Sequence, residues 1–177
     1  MEIKMVDINR DRELCRRAKR LYLTAFPKEE RLPWWVLRLN SLRRGIDLTA
    51  FLRDGEFLGF TSSVTLEGLH FLLFFAVEEQ LRGQGNGSAI LGAIKEIYPN
   101  VVLNVEPLVP DAPNLPERQR RFAFYKKNGF FDTGWYVWEV GGMFRVLSTG
   151  LPLDVPGYKK LFRKLTFGIW DVKLKEE

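Results

Sequence analysis

The pattern of hydrophobic and polar positions changes most sharply between residues 69 and 97. Leu69–Val77 is almost continuously apolar, which is typical of a strand covered on both faces. A polar, glycine-rich stretch, Glu78–Ser88, follows it. Apolar residues then recur at helical spacing before Pro99, at Ile90, Leu91, Ile94 and Ile97. The pattern therefore predicts a buried strand, a glycine loop and an amphipathic helix.

Before this strand, the period of the apolar positions predicts a short strand, two helices and a hairpin. Asn9 and Asp11 are both candidates to cap the first helix. Turn signals at Asp54-Gly55 and Glu67-Gly68 separate the extended segments into an antiparallel meander. In chain order the predicted elements are a strand from Ile3, helices at Leu14–Ala25 and Pro33–Gly45, and strands at Asp47–Leu52 and Phe57–Leu66.

After the central helix, a strand–helix–strand connection predicts that the strands ending at Val77 and Val105 are parallel neighbours. We predict an α/β (α+β) fold: a single mixed, mostly antiparallel twisted sheet with flanking helices. Residues 1–150 form one domain, and residues 151–177 are an extension packed on it. The later predicted elements are a strand at Val101–Val105, a basic helix from Pro116 to Asn128, and an amphipathic segment at Tyr158–Leu165. Between them lies a predicted hairpin, in which Phe130-Phe131 and Trp135–Val140 form one strand, Gly141-Gly142 the turn and Met143–Leu147 the partner strand.

The glycine loop has the chemistry of an anion site. Gly83, Gly85 and Gly87 let the backbone approach a ligand, and the first amides of the next helix point into the same space. A turn that binds nothing is the alternative. The Gly-Lys-Ser/Thr of a nucleotide triphosphatase loop is missing, and Gly87 falls one residue early for a dinucleotide fingerprint.

Composition narrows the function classes. The chain has 177 residues with a single cysteine and a single histidine, which exclude an internal disulfide and a Cys/His metal site, so we expect no metal. We interpret His70 as structural. No apolar run is long enough to span a bilayer and the N-terminus lacks an apolar signal region, so we expect a cytoplasmic protein with no membrane partner. The net charge of +5 is dispersed, which argues against a nucleic-acid partner.

Two motifs resemble the GCN5-related N-acetyltransferase (GNAT) family. Arg82–Gly87 is similar to its pyrophosphate loop, and Phe124–Phe130 is similar to its Tyr-x-x-x-Gly-Phe helix end. The element order agrees over roughly residues 2–147. The resemblance implies the acyl-CoA N-acyltransferase fold, with a parallel strand pair that splays apart, and acetyl-CoA (coenzyme A) as cofactor. The residues it implies for cofactor binding are Phe75, Ala76, Val77, Arg82, Gly83, Gln84, Gly85, Asn86, Gly87 and Ser88. The chain departs from the family at Arg118 and Arg121, where the family often has Asn and Ala, and Arg121 is our candidate to meet a phosphate of CoA instead.

The same resemblance implies catalytic residues. Tyr125 would donate a proton to the departing CoA thiolate, with aromatic packing as the alternative. Glu106, directly after the strand that flanks the cofactor, would take the proton of an attacking amine, unless it only terminates the strand. Glu29 and Glu30, in the loop between the first two helices, are further candidates for base or cation attraction. Asn104 either orients substrate or water, or caps a backbone group.

The function that these residues indicate is N-acetyl transfer from acetyl-CoA to an amine by direct attack in a ternary complex. The alternatives are a non-catalytic acyl-CoA-binding module or sensor and a basic nucleic-acid-binding domain. The acceptor, a small-molecule or peptide amine, is not specified by the sequence. The aromatic hairpin and apolar tail leave a homodimer open.

Overall fold

The computed structural model of the chain describes residues 2–139, 142–169 and 171–177. Five α-helices and eight strands lie in that part of the chain. Short 3-10 turns occupy Ile8–Arg10, Lys28–Glu30 and Glu79–Leu81. The elements are β1 Lys4–Asp7, α1 Arg12–Ala25, α2 Trp34–Asn40, β2 Ile46–Arg53, β3 Glu56–Leu66, β4 Leu69–Val77, α3 Asn86–Ile97, β5 Asn100–Val105, α4 Leu115–Lys127, β6 Phe131–Glu139, β7 Gly142–Ser148, α5 Val155–Leu165 and β8 Lys173–Glu176.

The strands form one sheet in the order β1-β2-β3-β4-β5-β7-β6-β8. The pairs β1–β2, β2–β3, β5–β7, β6–β7 and β6–β8 are antiparallel, whereas β4 and β5 form the parallel pair. The predicted fold class is therefore confirmed. The β2–β3 turn has positive φ at Asp54 (50°) and Gly55 (83°), as an Asp-Gly hairpin turn requires.

The chain divides into two compact units, Met1–Thr65 with Leu72–Ile97, and Leu66–Phe71 with Tyr98–Glu177. In the first unit the core lies between α1, α2 and the strands. Asp11, rather than Asn9, caps α1: its carboxylate accepts the amides of Glu13 and Leu14 at 2.8 and 3.0 Å. The core side chains include Leu14, Ala18, Leu21, Tyr22, Leu37, Leu48, Phe60 and Phe74.

The second helix is shorter than its predicted extent to Gly45. It ends at Asn40, and the amide of Ile46 bonds the carbonyl of Arg43 in a turn. Leu37 is buried, whereas Trp35, Leu39 and Leu42 are 67%, 53% and 72% exposed. Runs of adjacent apolar residues have no helical period, so only part of this segment faces the core.

In the second unit, α5 packs on the sheet through aromatic rings. Tyr158 and Phe162 contact Phe71 at ring-centroid distances of 5.8 and 5.1 Å. Asp154 caps α5 by accepting the amide of Gly157 at 2.9 Å, and β8 pairs with β6. Residues 151–177 thus belong to the second unit. The predicted hairpin turn was Gly141-Gly142. Its first residue, Gly141, lies outside the described residues, as do Val140 at the predicted end of the strand and Trp170 in the apolar tail.

Candidate active site

The glycine loop occupies the short segment between β4 and α3 in the first unit. Gly83 and Gly85 have φ of +75° and +82°, which L-residues rarely adopt. A Cβ added at either position would meet no atom within 4 Å, so open space lies beside the backbone of both. Gly87 lies inside the first turn of α3, because that helix already begins at Asn86. Two of the three loop glycines, not all three, are required by backbone conformation.

The first turn of α3 presents backbone donors next to these glycines. The amide of Ala89 bonds the carbonyl of Gly85 at 3.0 Å, so the helical pattern starts at that glycine. The amides of Asn86, Gly87 and Ser88 precede it and have no acceptor within the helix by geometry. They carry the positive end of the helix dipole, which favours a phosphate-like anion.

Side chains of the loop brace its backbone. The side-chain amide of Asn86 donates to the carbonyl of Leu81 at 2.9 Å, and its oxygen accepts from the Arg53 guanidinium at 2.7 Å. Gln84 donates to the carbonyl of Gln80 at 2.8 Å. Asn86 is 4% exposed, so its side chain holds the loop from within. Nothing in the sequence indicated that Arg53 bonds to Asn86, because Arg53 lies at the end of a strand 33 positions away.

The end of β4 is closely braced within the same unit. Arg82 is exposed and its Nε donates to the carbonyl of Val77 at 3.0 Å. The amide of Glu78 bonds the carbonyl of Leu58 at 2.9 Å. A Cβ on Gly59 would lie 2.2 Å from the carbonyl oxygen of Ala76, so only glycine permits this approach of the β3 and β4 backbones. Phe75 and Val77 are partly buried, and Ala76 is buried.

In the second unit, Tyr125 lies near the end of α4 among aromatic rings. Phe124 and Phe130 contact it edge-on, at centroid distances of 5.3 and 5.6 Å. Burial raises the pKa of Tyr125 to about 12, an effect that the positive charge of Arg121 opposes. The Tyr125 hydroxyl forms no hydrogen bond to the residues that the structure describes. The side chain is therefore protonated at neutral pH.

Glu106, directly after β5, is held by two arginines of α4. Its oxygens contact Arg118 at 2.9 Å and Arg121 at 2.8 Å. Asn114 donates to the first oxygen at 3.2 Å, and Arg118 also donates to the carbonyl of Pro107 at 3.0 Å. The side chains of Glu106 and Arg118 are only 19% and 18% exposed, whereas that of Arg121 is 49% exposed. Each Glu106 oxygen thus forms an ion pair with an arginine. One of these arginines is Arg121, which was predicted to bind a phosphate.

Glu29 and Glu30 form part of the 3-10 turn between α1 and α2, in the first unit. Glu29 is exposed and Glu30 is partly buried. The turn is followed by anchored residues: the Tyr22 hydroxyl donates to the carbonyl of Leu32 at 3.0 Å, and Arg31 donates to the carbonyl of Leu23 at 2.9 Å. These hydrogen bonds fix the chain directly after the turn that carries the two carboxylates.

Asn104 makes contacts that its sequence position did not specify. Its side-chain amide donates to Glu139 at 2.8 Å and to the Tyr158 hydroxyl at 2.7 Å, and that hydroxyl also lies 2.9 Å from the Asn104 oxygen, to which it can donate. His70 is 3% exposed and stacks on Tyr98, with ring centroids 3.9 Å apart.

The predicted residues thus fall into two groups. The first unit holds Glu29, Glu30, Phe75–Val77 and Arg82–Ser88, and the second holds Glu106, Arg121 and Tyr125. Within the described ranges, no group of three or more His, Cys, Asp or Glu residues could hold a metal ion. No helix in these ranges is long and apolar enough to cross a membrane.

Neither protein-family models nor curated protein sequences match the chain, but solved structures do. A protein described as an acetyltransferase of the GNAT family from Bacteroides thetaiotaomicron matches with a TM-score of 0.77 at 21% identity, over 96% of this chain and 100% of its own. An aminoglycoside 6'-N-acetyltransferase complexed with coenzyme A gives 0.66 at 15% identity, over 84% and 96%.

A third match is the ribosomal-protein-S18-alanine N-acetyltransferase from Escherichia coli, with a TM-score of 0.60 at 15% identity, over 85% of this chain and 95% of that one. The names of the last two proteins give different substrates, and all three share the architecture described above. The resemblance first indicated by Arg82–Gly87 and Phe124–Phe130 is confirmed at the level of structure. The chain has the fold of the GCN5-related N-acetyltransferases.

Proposed function

We propose that the protein is an acetyl-CoA-dependent N-acetyltransferase that transfers the acetyl group directly to an amine. The observation that supports this most is the glycine loop, where two left-handed glycines with open space beside them precede the N-terminus of a twelve-residue helix. Structures of the same fold include acetyltransferases, and at least two of them are complexed with coenzyme A. Acetyl-CoA would supply an activated thioester, so the protein needs no covalent intermediate of its own.

The loop suits a pyrophosphate for chemical reasons. Backbone amides of Asn86, Gly87 and Ser88 can donate to phosphate oxygens, and the helix dipole favours their negative charge. The absence of a Cβ at Gly83 and Gly85 leaves room for a close approach. Because Arg82 is exposed beside them, we expect it to add a charge-assisted contact.

Tyr125 is our candidate for stabilising the departing thiolate. With a pKa of about 12 it is a weaker acid than an ordinary thiol of pKa about 8.5, so complete proton transfer to the thiolate would cost about 5 kcal/mol. Donating a hydrogen bond to the developing charge does not incur that cost. We therefore propose that Tyr125 acts mainly as a hydrogen-bond donor in the transition state.

The loop assignment is tested by a matched pair of glycine substitutions. Gly85 and Gly55 have nearly equal φ, +82° and +83°, and neither has an atom near the position of a new Cβ. Alanine at either site costs about 1 kcal/mol of backbone strain. We expect Gly85→Ala to weaken CoA binding, measured by calorimetry, by at least roughly tenfold. Gly55→Ala, in the β2–β3 turn, should leave it unchanged, and equal effects of the two would contradict the assignment.

One observation favours a non-catalytic acyl-CoA-binding module as the second candidate: both oxygens of Glu106 are engaged by arginines. The variant Tyr125→Phe distinguishes the two functions. In an enzyme this variant loses kcat, by roughly 10²-fold or more, while CoA affinity is kept. A binding module releases no thiol from acetyl-CoA with any amine, in wild type or variant.

A further inference from the structure

The second helix of the first unit carries a stripe of large apolar side chains on its outer side. Trp35, Leu39 and Leu42 are spaced by four and three residues, so they lie on one face of α2 and of the turn that continues it. The buried residues Leu37 and Asn40 hold the other side of the helix against the core. We call the three outer residues the Trp35 face.

The Trp35 face is a ridge and not the lining of a groove. Trp35, Leu39 and Leu42 are 67%, 53% and 72% exposed, whereas a side chain inside a groove would be covered by its walls. Single exposed apolar residues are normal on a protein surface, but three large ones on one helix face form a contiguous patch, which is typical of an interaction site. The ridge projects outward, so it suits insertion into a partner.

A cation lies within the same ridge. Arg38 is exposed, and it comes three residues after Trp35 and four residues before Leu42. Residues at these spacings are neighbours on a helix surface, so the guanidinium group emerges beside both apolar side chains. The partner must therefore offer an apolar phase and negative charge close together.

The net positive charge of the chain is concentrated around this ridge. Residues 12–44 contain ten Lys and Arg against three Glu, a net charge of +7, whereas the whole chain has +5, which leaves −2 for all other residues. Basic residues occur along the whole sequence, but their excess over acidic residues belongs to the segment of α1 and α2. Exposed cations of this segment include Lys19, Arg20, Lys28, Arg38 and Arg44.

The end of α1 and the start of α2 are joined by direct contacts. The rings of Tyr22 and Trp34 have centroids 5.6 Å apart, and the Arg31 guanidinium donates to the carbonyl of Leu23 at 2.9 Å. Leu23 is itself 47% exposed. The basic helix α1 and the Trp35 face thus belong to one packed part of the first unit.

We propose that the Trp35 face binds the surface of a membrane that contains anionic lipids. Tryptophan and leucine on one face of a helix enter the boundary between headgroups and acyl chains, and neighbouring arginines attract the lipid phosphates. We expected no membrane partner because no apolar run spans a bilayer, but a helix that lies on the surface needs no such run. The proposal does not depend on acetyl transfer.

A lipid surface fits both properties of the ridge better than the other classes of partner do. A nucleic acid matches the positive charge but offers no apolar phase to Leu39 and Leu42. A protein partner matches the apolar residues but does not require a net charge of +7 around them. Anionic lipids supply the charge and the apolar phase at one boundary.

The first test is co-sedimentation of the full chain with phosphatidylcholine vesicles, with and without phosphatidylglycerol. We expect binding to the vesicles that contain phosphatidylglycerol only. Binding should weaken as salt is added, because ions screen the attraction between arginines and phosphates. Absence of binding to the anionic vesicles at low salt would overturn the proposal.

The apolar contribution is tested with two matched double variants. Trp35→Ser with Leu42→Ser removes one aromatic and one aliphatic side chain from the ridge, and we expect the vesicle partition coefficient to fall by roughly tenfold or more. Phe131→Ser with Leu151→Ser removes the same types, 53% and 55% exposed, from the second unit and should leave binding unchanged. Denaturant unfolding checks that both variants fold. Equal losses of vesicle binding would overturn the assignment to this face.

The charge contribution is tested in the same way. Arg38→Gln with Arg44→Gln should weaken binding by about fivefold for each arginine. Lys126→Gln with Lys127→Gln makes the same change of net charge on the exposed side of α4 and should leave binding nearly unchanged. Equal weakening by the two pairs would show that net charge alone governs binding, which contradicts the proposed site.

Insertion of Trp35 is measured by fluorescence quenching with lipids that carry bromine on their acyl chains. We expect quenching of the wild-type protein that is largely lost in Trp35→Phe, although this variant still binds the vesicles because phenylalanine can also insert. Quenching that persists in Trp35→Phe would mean that another tryptophan enters the bilayer, and the proposal would be wrong.

Two measurements identify other occupants of the face. An oligonucleotide that binds more tightly than the vesicles, with the same affinity in Trp35→Ser with Leu42→Ser, would assign the basic helices to a nucleic acid and overturn the proposal. A dimer in sedimentation velocity that dissociates in this double variant would show that a second copy of the chain covers the face, and would also overturn it. None of these measurements uses CoA, so a failure of the proposed acetyl transfer would leave this inference standing.

Discussion

At the scale of single residues, Gly59 shows how one missing side chain shapes the predicted cofactor strand. Its hypothetical Cβ would lie 2.2 Å from the Ala76 carbonyl oxygen and 3.0 Å from the Val77 Cα, both of them backbone atoms that cannot rotate away. The β3 backbone therefore sets the position of the end of β4. Nothing in the sequence distinguishes Gly59 from a glycine that is merely tolerated in a strand.

Gly59→Ala should accordingly destabilise the protein by about 2 kcal/mol, because β3 and β4 must move apart to admit the methyl group. We expect the displaced end of β4 to weaken CoA binding as well. Gly92→Ala is the matched control, since that helical glycine has no atom within 4 Å of a new Cβ and alanine there should stabilise α3 by about 0.5–1 kcal/mol. Denaturant unfolding measures the free energy of unfolding of both variants. If both substitutions were destabilising, this interpretation would be contradicted.

His70, the single histidine, gives a pH dependence of known sign. Burial lowers its pKa to about 4 from the ordinary 6.5. The stability that this depressed pKa provides is present above pH 6.5 and is lost as the pH falls toward 4, because only the unfolded chain takes up the proton. We expect the free energy of unfolding to drop by about 2 kcal/mol between pH 7 and pH 5.

Denaturant titrations at the two pH values measure this drop. His70→Phe keeps an aromatic ring to stack on Tyr98 and removes the titrating group. The drop between pH 7 and pH 5 should disappear in this variant. A variant with the wild-type drop would show that the pH dependence arises elsewhere.

At the scale of elements, the sequence predicted the site's scaffold well where periodicity and turn chemistry agree. The strand, loop and helix at Leu69–Ile97 are present, and so are the hairpins at Asp54-Gly55 and Glu67-Gly68. The end of α2 at Asn40 was not predicted, because its apolar residues are adjacent rather than periodic. The place of Gly87 inside α3 also escaped prediction, since the glycine spacing alone does not say where helical geometry begins.

The contacts of the candidate catalytic side chains could not be read from the sequence at all. Asn104 meets Tyr158 across 54 positions, and Glu106 meets Arg121 across 15. Such pairings depend on how helices α4 and α5 pack on their sheet, which residue type and spacing do not determine. The motifs predicted which elements carry the candidate site, whereas tertiary packing decides which carboxylate is paired with arginine.

The Glu106 cluster gives an element-scale prediction for α4. Arg118 is largely buried, contacts Glu106 and the Pro107 carbonyl, and therefore ties the start of α4 to the segment after β5. Arg118→Met should lower the free energy of unfolding by about 2 kcal/mol, because it removes the donor to the Pro107 carbonyl and one of the two charge partners of the largely buried Glu106. Arg121→Met removes a half-exposed ion pair and should cost about 0.5 kcal/mol or less. Chemical denaturation of both variants measures their free energies of unfolding. Equal losses of stability in the two variants would show that burial does not decide how much each arginine contributes.

At the scale of the whole molecule, the sheet order and the parallel pair β4–β5 match the predicted fold class, and matches to solved structures extend over 96% of the chain. The fold class was predictable because the order of the elements and the spacing of the two motifs strongly constrain the topology of the sheet. The acceptor was not predictable, because acetyltransferases of this fold differ in the substrates that their names give.

The central claim, that the glycine loop is built for acetyl-CoA, is tested most directly by calorimetric titration of the wild-type protein with CoA. We expect one-to-one binding with a dissociation constant of roughly micromolar order, about −8 kcal/mol. Bound CoA should also raise the thermal midpoint as its concentration increases. Absence of binding heat, together with an unchanged midpoint at millimolar CoA, would contradict the claim.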